Sequence, residues 1–249
     1  MNLCIITPIT TKNFRDTAAL SELVPGGISV KHTTLEHGPA SVESAIDEVL
    51  AGPGIIDAAC RAEIEGFDAI VIDCMLDPAL EATREAVNIP VIGCGEAGLY
   101  AAAEFGRFSV VTVLQRQDHS FRRIAESCDL SDRLASVYGI GVNVLELDSA
   151  RNHALEATIE ACEIARLRDK AESIVFGCTG MLGYGRKTAS ALGWPSERVI
   201  DPLPNALKAA IGLVKKGHKP DKERYPFPER KPILGFDSWP ILRQRLHLD

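Results

Sequence analysis

A cysteine closes each of two apolar runs in this chain, Cys74 in "DAIVIDCMLD" (residues 68–77) and Cys178 in "ESIVFGCTGM" (residues 172–181). Both runs read as strands buried on two faces, and a helix-like segment follows each. The sulfurs therefore fall at carboxyl ends of strands, where ligands bind in open α/β sheets. A helix start there offers unpaired backbone N–H groups and a dipole that stabilise a thiolate, whose ordinary pKa is about 8.5. The same N–H groups can hold a developing enolate oxygen. Thr179 and Gly180 follow one sulfur, while Met75 and Leu76 follow the other, with Pro78 suited to the first turn of the next helix. Two such sulfurs on facing lobes suit the inversion of a carbon that bears an acidic hydrogen. A thiolate removes the proton from one face, a thiol delivers another to the opposite face, and the roles exchange for the other enantiomer. That chemistry requires no metal or organic cofactor.

Four of the five remaining cysteines need no such account. Cys4, Cys60, Cys128 and Cys162 lie inside strand or helix patterns, where a free cysteine acts as a small hydrophobe. Seven cysteines, an odd number without a C-x-x-C pair, argue for free thiols rather than a disulfide frame or a structural zinc site.

Positioning the two sulfurs takes an α/β fold. Candidate strands are 3–7, 28–34, 69–73, 91–93, 108–114, 142–147, 173–177 and 198–201, alternating with helical patterns, the signature of a mainly parallel sheet. "SVESAIDEVL" opens a helix with Ser41 as its N-cap, and "HALEATIEACEIARLRD" carries an apolar face of Leu155, Ile159, Cys162 and Ala165. "PLPNALKAAIGLVKKG" shows Pro202 at its start and Gly217 at its end. The two cysteine segments form a weak internal repeat, which predicts two similar lobes with a site in the cleft between them. Lobe 1 covers residues 1–100 with a return crossing at about 203–216, lobe 2 covers 101–202, and 217–249 is a proline-rich arm with a short terminal helix.

Composition narrows the class. At 249 residues with 46% hydrophobic content the chain can bury a large core, and a net charge of −7 without a Lys/Arg run removes the electrostatic footprint of a nucleic-acid binder. No apolar stretch approaches the roughly 20 residues of a membrane helix, and "MNLCIITPITT" lacks a basic leader. A small-molecule partner and a cytoplasmic location are the expectations.

Two decoys compete. "GCGEAG" (residues 93–98) matches the dinucleotide fingerprint, with Asp118 about 20 residues on; it does not follow the first strand of its unit, which argues against a nicotinamide site. The histidines show no metal-ligand spacing: His32 and His37 flank an expected loop, while His119, after the "VTVL" strand end, is the one placed to meet a substrate.

Taken with "GPASVESAIDE", "IPVIGCGEA" and "RFSVVTVL", the two cysteine segments resemble the aspartate/glutamate/hydantoin racemase superfamily, most closely its hydantoin and allantoin racemase branch, up to about Leu213. The resemblance implies a cofactor-independent two-base mechanism with Cys74 and Cys178 as catalytic thiols, and a homo-oligomer. It also implies substrate contacts from Pro8, Ile9, Thr10, Met75, Leu76, Thr112, Thr179 and Gly180. Where branch members carry Asn-Pro-Asn-Thr at the end of the first strand, this chain has "TPIT", residues 7–10. Loss of two amide side chains turns the expectation from allantoin toward a 5-substituted hydantoin, with an amino-acid racemase, or a decarboxylase or cis–trans isomerase of the same superfamily, as alternatives. A non-catalytic binding protein on the same lobes is the reading from another class.

Overall fold

The computed structural model describes residues 1–229 and 231. Eight parallel strands form two four-stranded sheets. The first contains β1 (Asn2–Thr7), β2 (Ser29–Thr34), β3 (Ala69–Ile72) and β4 (Val91–Gly93), in the spatial order β2-β1-β3-β4. The second contains β5 (Phe108–Thr112), β6 (Leu134–Gly139), β7 (Ser173–Phe176) and β8 (Val199–Ile200), in the order β6-β5-β7-β8. The same order recurs in both halves, and β3 and β7, the strands that lead into Cys74 and Cys178, hold equivalent places. Each is buried along its whole length, as continuous Ile and Val content demands of a strand covered by helices on both faces.

The helices are α1 (Thr17–Ser21), α2 (Ala45–Ile64), α3 (Leu80–Ala86), α4 (Cys94–Ala103), α5 (Asp118–Ser127), α6 (Arg151–Leu167), α7 (Gly185–Leu192) and α8 (Pro202–Lys215). α8 leaves the end of the second sheet and packs against α4, β3 and β4. One continuous core runs through this junction, from Leu3 and Ile70 through Leu99 and Leu203 to Val110 and Val175. The lobes are thus joined by buried apolar surface.

Two local expectations change. Residues 142–147 form no strand: Val144–Glu146 is a single 3-10 turn, and the edge strand is β6. The alternation in "VNVLEL" misleads because Val142, Val144 and Leu147 are buried from a turn while Leu145 is exposed. The N-cap of α2 is Ser44, whose Oγ accepts the Asp47 N–H (3.3 Å) and donates to Asp47 Oδ2 (2.8 Å), a reciprocal cap three residues downstream of Ser41. His32 belongs to β2 and turns inward to Thr7. The start of the arm docks on α3: Lys222 Nζ donates to the Arg84 and Glu85 carbonyls, and the Arg84 guanidinium stacks over the Tyr225 ring. The terminal helix expected in the arm lies outside the described residues. No helix among the described residues is long and apolar enough to cross a membrane.

Candidate functional site

β3 and β7 both end at the facing rims of their sheets, and the chain turns at once. After β3, the Asp77 N–H closes a turn on the Cys74 carbonyl (3.3 Å); after β7, Cys178 caps the 3-10 turn Thr179–Met181, with the Gly180 N–H donating to its sulfur at 3.3 Å. The two turns are fastened together, because Thr179 Oγ1 donates across the cleft to the Asp73 carbonyl (3.3 Å). Cys74 and Cys178 consequently line one chamber of about 30 Å³, together with Thr7, Pro8, Ile9, Phe14, Val42, Asp73, Met75, Leu76, Gln117, Val144, Gly177 and Thr179.

Of the contacts expected from the sequence, Pro8, Ile9, Met75, Leu76 and Thr179 share that wall. Thr10 does not reach it: its N–H and hydroxyl both go to the Pro39 carbonyl. Gly180 packs under Leu147 and Phe14 and serves the sulfur instead of the chamber. Thr112 sits one step back, donating to Gln117 Oε1 (2.7 Å) and lying 3.1 Å from the Gly177 carbonyl, so it positions the Gln117 amide at the chamber wall. His119 is exposed beside Arg116, away from the sulfurs. The residues that sequence reasoning passed over are Phe14, Val42 and Val144, which supply apolar wall, and Gln117, which supplies an amide. Only Gln117 carried a signal, its place just beyond a strand end.

The polar floor is a buried chain of groups. Asp73, preceding Cys74, accepts the Arg15 Nε–H at Oδ2 and an Nη2–H at Oδ1, each at 2.8 Å, and its side chain is fully buried. Thr7 Oγ1 donates to Asp73 Oδ2 (2.8 Å); since that hydroxyl has one hydrogen, His32 Nε2, 2.8 Å away, is the donor to Thr7. Burial lowers the His32 pKa against the pull of Asp73, which favours the neutral ring.

Both thiols are pushed up by burial. Cys178 reaches about 11, held down by the Gly180 N–H and the Arg15 charge. Cys74 rises well above the ordinary thiol value, with Cys178, Asp77 and Asp73 all adding negative charge against it. A negative charge on Cys178 opposes one on Cys74, so ionisation of one sulfur holds the other as the thiol. Two thiols on one chamber, of which one can ionise while the other keeps its proton, are the groups that two-sided proton transfer needs.

The glycines of "GCGEAG" have a different purpose from dinucleotide binding. Asp77 Oδ1 and Oδ2 accept the Gly95 and Glu96 N–H groups (2.8 and 2.7 Å), so the chain's own carboxylate fills the anion position at the α4 N-terminus. A Cβ on Gly93 would come within 2.4 Å of that carboxyl group. Burial pushes the Asp77 pKa up to about 8, against the two N–H donors and Arg84. Asp77→Asn leaves one of these N–H groups facing an amide NH2, and we expect a loss of about 1–3 kcal/mol. Calorimetry checks this, and an unchanged melting temperature would show that the anchor is dispensable.

Two parallel four-stranded sheets, each presenting one strand-end thiol to a shared chamber, define a two-lobed α/β enzyme. The chain belongs to the Asp/Glu/hydantoin racemase family, whose model matches residues 5–210, and with that family it is an isomerase. It is 36% identical to a hydantoin racemase of Pseudomonas sp. (strain NS671) over 80% of this chain and 79% of the relative. It is 33% identical to one of Paenarthrobacter aurescens, over 94% of this chain and 100% of the relative. Among solved structures it is similar to the allantoin racemase from Klebsiella pneumoniae, with TM-score 0.89 and 30% identity, covering 97% and 98% of the two chains.

Proposed function

We propose that this chain is a cofactor-independent two-thiol racemase acting on a 5-substituted hydantoin. The observation that carries this reading is the pair of sulfurs, delivered by equivalent strand ends of two sheets to one chamber. The thiolate takes the hydrogen from C5, the C–H electron pair moves into the adjacent carbonyl to give an enolate, and the other thiol protonates the opposite face. The first sulfur ends as the thiol and the second as the thiolate, so no reducing equivalent or co-reactant is consumed.

The chamber wall favours a ring substrate that is neutral overall. Asp73 is the charged residue on the wall, and it is already paired with Arg15. A free amino acid would bring a carboxylate and an ammonium that find no charged partner on this wall, at a substantial desolvation cost. A hydantoin brings amide N–H and C=O groups, suited to the Gln117 amide and to the lone pairs of Thr179. Ile9, Phe14, Val42 and Val144 offer apolar surface to the C5 substituent, whereas the ureido group of allantoin would need the amide partners that Thr7 and Ile9 replace.

At about 30 Å³ the chamber is small for a five-membered ring, so the segments that wall it must give way for a substrate to seat beside both sulfurs. The contacts between the lobes that such a motion would strain include the Val144 N–H to Glu43 Oε1 bond (2.8 Å), the Arg123–Glu48 ion pair (2.6 Å) and the Thr179 Oγ1 bond to the Asp73 carbonyl (3.3 Å).

The test incubates the wild-type protein with single-enantiomer 5-benzyl- and 5-isobutylhydantoin, allantoin and aspartate in heavy water. The expected result is loss of optical rotation for the hydantoins, with one solvent deuterium at each inverted centre. Racemisation of aspartate alone, or none of any substrate, would overturn the reading.

A further inference from the structure

Two glutamines stand in the turn that follows β5, and their amides are used differently. Gln115 is fully engaged: its Nε2 donates to the Val137 carbonyl (3.1 Å) and its Oε1 accepts the Gly139 N–H (2.9 Å), both on the edge strand β6. Gln117 is only 3% exposed, and its Oε1 alone is engaged, accepting from Thr112 Oγ1 at 2.7 Å. Its Nε2 has no hydrogen-bond partner among the described residues. The side-chain atoms sealed in the core without a partner, among those residues, are Thr188 Oγ1 and Asp201 Oδ1. Gln117 Nε2 is not one of them, so it borders open space, and the residue lines the chamber that holds both sulfurs. A buried amide with its donor end unmade is costly. The group calls for a partner that the folded chain does not itself supply.

The amide is also fixed relative to Cys178. Thr112 Oγ1 lies 3.1 Å from the carbonyl of Gly177, the residue before that cysteine, and Thr112 packs so closely on Gly177 that a Cβ there would collide with it and with Phe121. The hydroxyl has one hydrogen, and the shorter distance gives it to Gln117 Oε1, which turns Nε2 away from Thr112. Gln117 also borders a second cavity of about 270 Å³ between the lobes, walled by residues 43–46 of one and 116–120 of the other. A neutral donor thus stands where the sulfur chamber meets the wider space between the lobes.

We propose that Gln117 is a further catalytic residue, whose Nε2–H donates to the substrate carbonyl oxygen on which the enolate charge develops, and that Thr112 is the positioning residue that aims it. The proposal rests on the two-thiol racemase reading above. When the thiolate removes the C5 hydrogen, the C–H electron pair becomes the second bond between C5 and the carbonyl carbon, and the carbonyl π pair moves to oxygen. The amide hydrogen bond strengthens onto that oxyanion, no bond to nitrogen forms or breaks, and protonation by the other thiol reverses the shift. A donor aimed at charge that appears only during reaction stabilises the transition state more than the bound ring. A neutral amide suits the singly charged enolate of a neutral ring. Deprotonation beside a carboxylate would place a second negative charge there, for which a cation is the fitting partner, and Asp73 already holds Arg15.

The test measures kcat and KM of full-length Gln117→Leu with each enantiomer of 5-benzylhydantoin, together with exchange of the C5 hydrogen in heavy water. The expected result is a kcat lower by about 10²–10³-fold, the usual cost of one oxyanion donor, with KM nearly unchanged. The loss should fall on both enantiomers alike, in exchange as in racemisation, because the carbonyl oxygen serves both faces; loss of one sulfur would spare exchange of one enantiomer. Gln117→Glu keeps an oxygen for Thr112 and turns a carboxylate oxygen toward the enolate, so it should lose at least as much. Thr112→Val should lower kcat for both enantiomers, and Thr112→Ser, which keeps the hydroxyl, should restore it. Where Gln117→Leu fails a circular-dichroism check of folding, Gln117→Glu and the two Thr112 variants decide. A folded Gln117→Leu with the wild-type kcat, a Gln117→Glu as active as the wild type, or a loss confined to KM or to one enantiomer overturns the proposal and leaves the racemase reading intact. A wild type that neither racemises nor exchanges any hydantoin overturns that reading, and the proposal with it.

Discussion

Cys74→Ser and Cys178→Ser are each expected to lower racemisation of a hydantoin by about 10²–10⁴-fold, the usual contribution of one general acid or base. A serine hydroxyl keeps the shape of the thiol and withholds its acidity, so binding should survive while proton transfer on one face stops. The informative readout is exchange without inversion. In heavy water, a variant with one sulfur can still remove and return a proton on its own face, washing deuterium into one enantiomer with retained configuration. Cys74→Ser and Cys178→Ser should therefore exchange opposite enantiomers, measured by mass spectrometry of the substrate after chiral separation. Exchange of the same enantiomer by both variants would show that the sulfurs do not face opposite sides of the carbon. Full racemisation by either variant would remove that cysteine from the mechanism.

This outcome depends on a geometry that two short sequence segments already announce. A run such as Ala69–Ile72 or Ser173–Phe176 has too little polar surface to lie anywhere but in a sheet covered on both faces, and its chain direction fixes which end meets the cleft. The cysteines are thus legible as strand-end groups from local information alone. Residues 142–147 are not, because alternation of apolar residues over a few positions fits a buried turn as well as a strand, and β6 reads as neither until it pairs with β5.

Most of what surrounds the sulfurs is illegible for a different reason. Arg15 meets Asp73 across 58 residues, and Glu43 meets Val144 across 101, so no window of sequence contains either contact. Thr112 shows the same limit at short range: its place at a strand end suggests a substrate contact, yet its hydroxyl is consumed by Gln117 and Gly177, and the amide it holds reaches the chamber instead. "GCGEAG" has the local form of a phosphate loop, and only the approach of Asp77 shows that its glycines make room for a carboxylate. The same distinction separates the two strand-end cysteines, carried by local motifs, from the wall around them, assembled from both lobes.

Asp73 offers the largest test of stability, and one that separates architecture from charge. Asp73→Ala leaves the buried Arg15 guanidinium without its acceptor and removes the acceptor of Thr7. An ion stranded in this way costs about 3–5 kcal/mol, and in a chain of this length we expect the melting temperature to fall by on the order of 10 °C. Asp73→Ala combined with Arg15→Met replaces the pair by apolar groups and should recover most of that loss, since a buried pair is often no better than well-packed hydrophobic side chains. The four melting temperatures of the double-mutant cycle measure the coupling. A single variant as stable as the wild type, or a double variant as unstable as the single, would show that the pair is not stranded by the change.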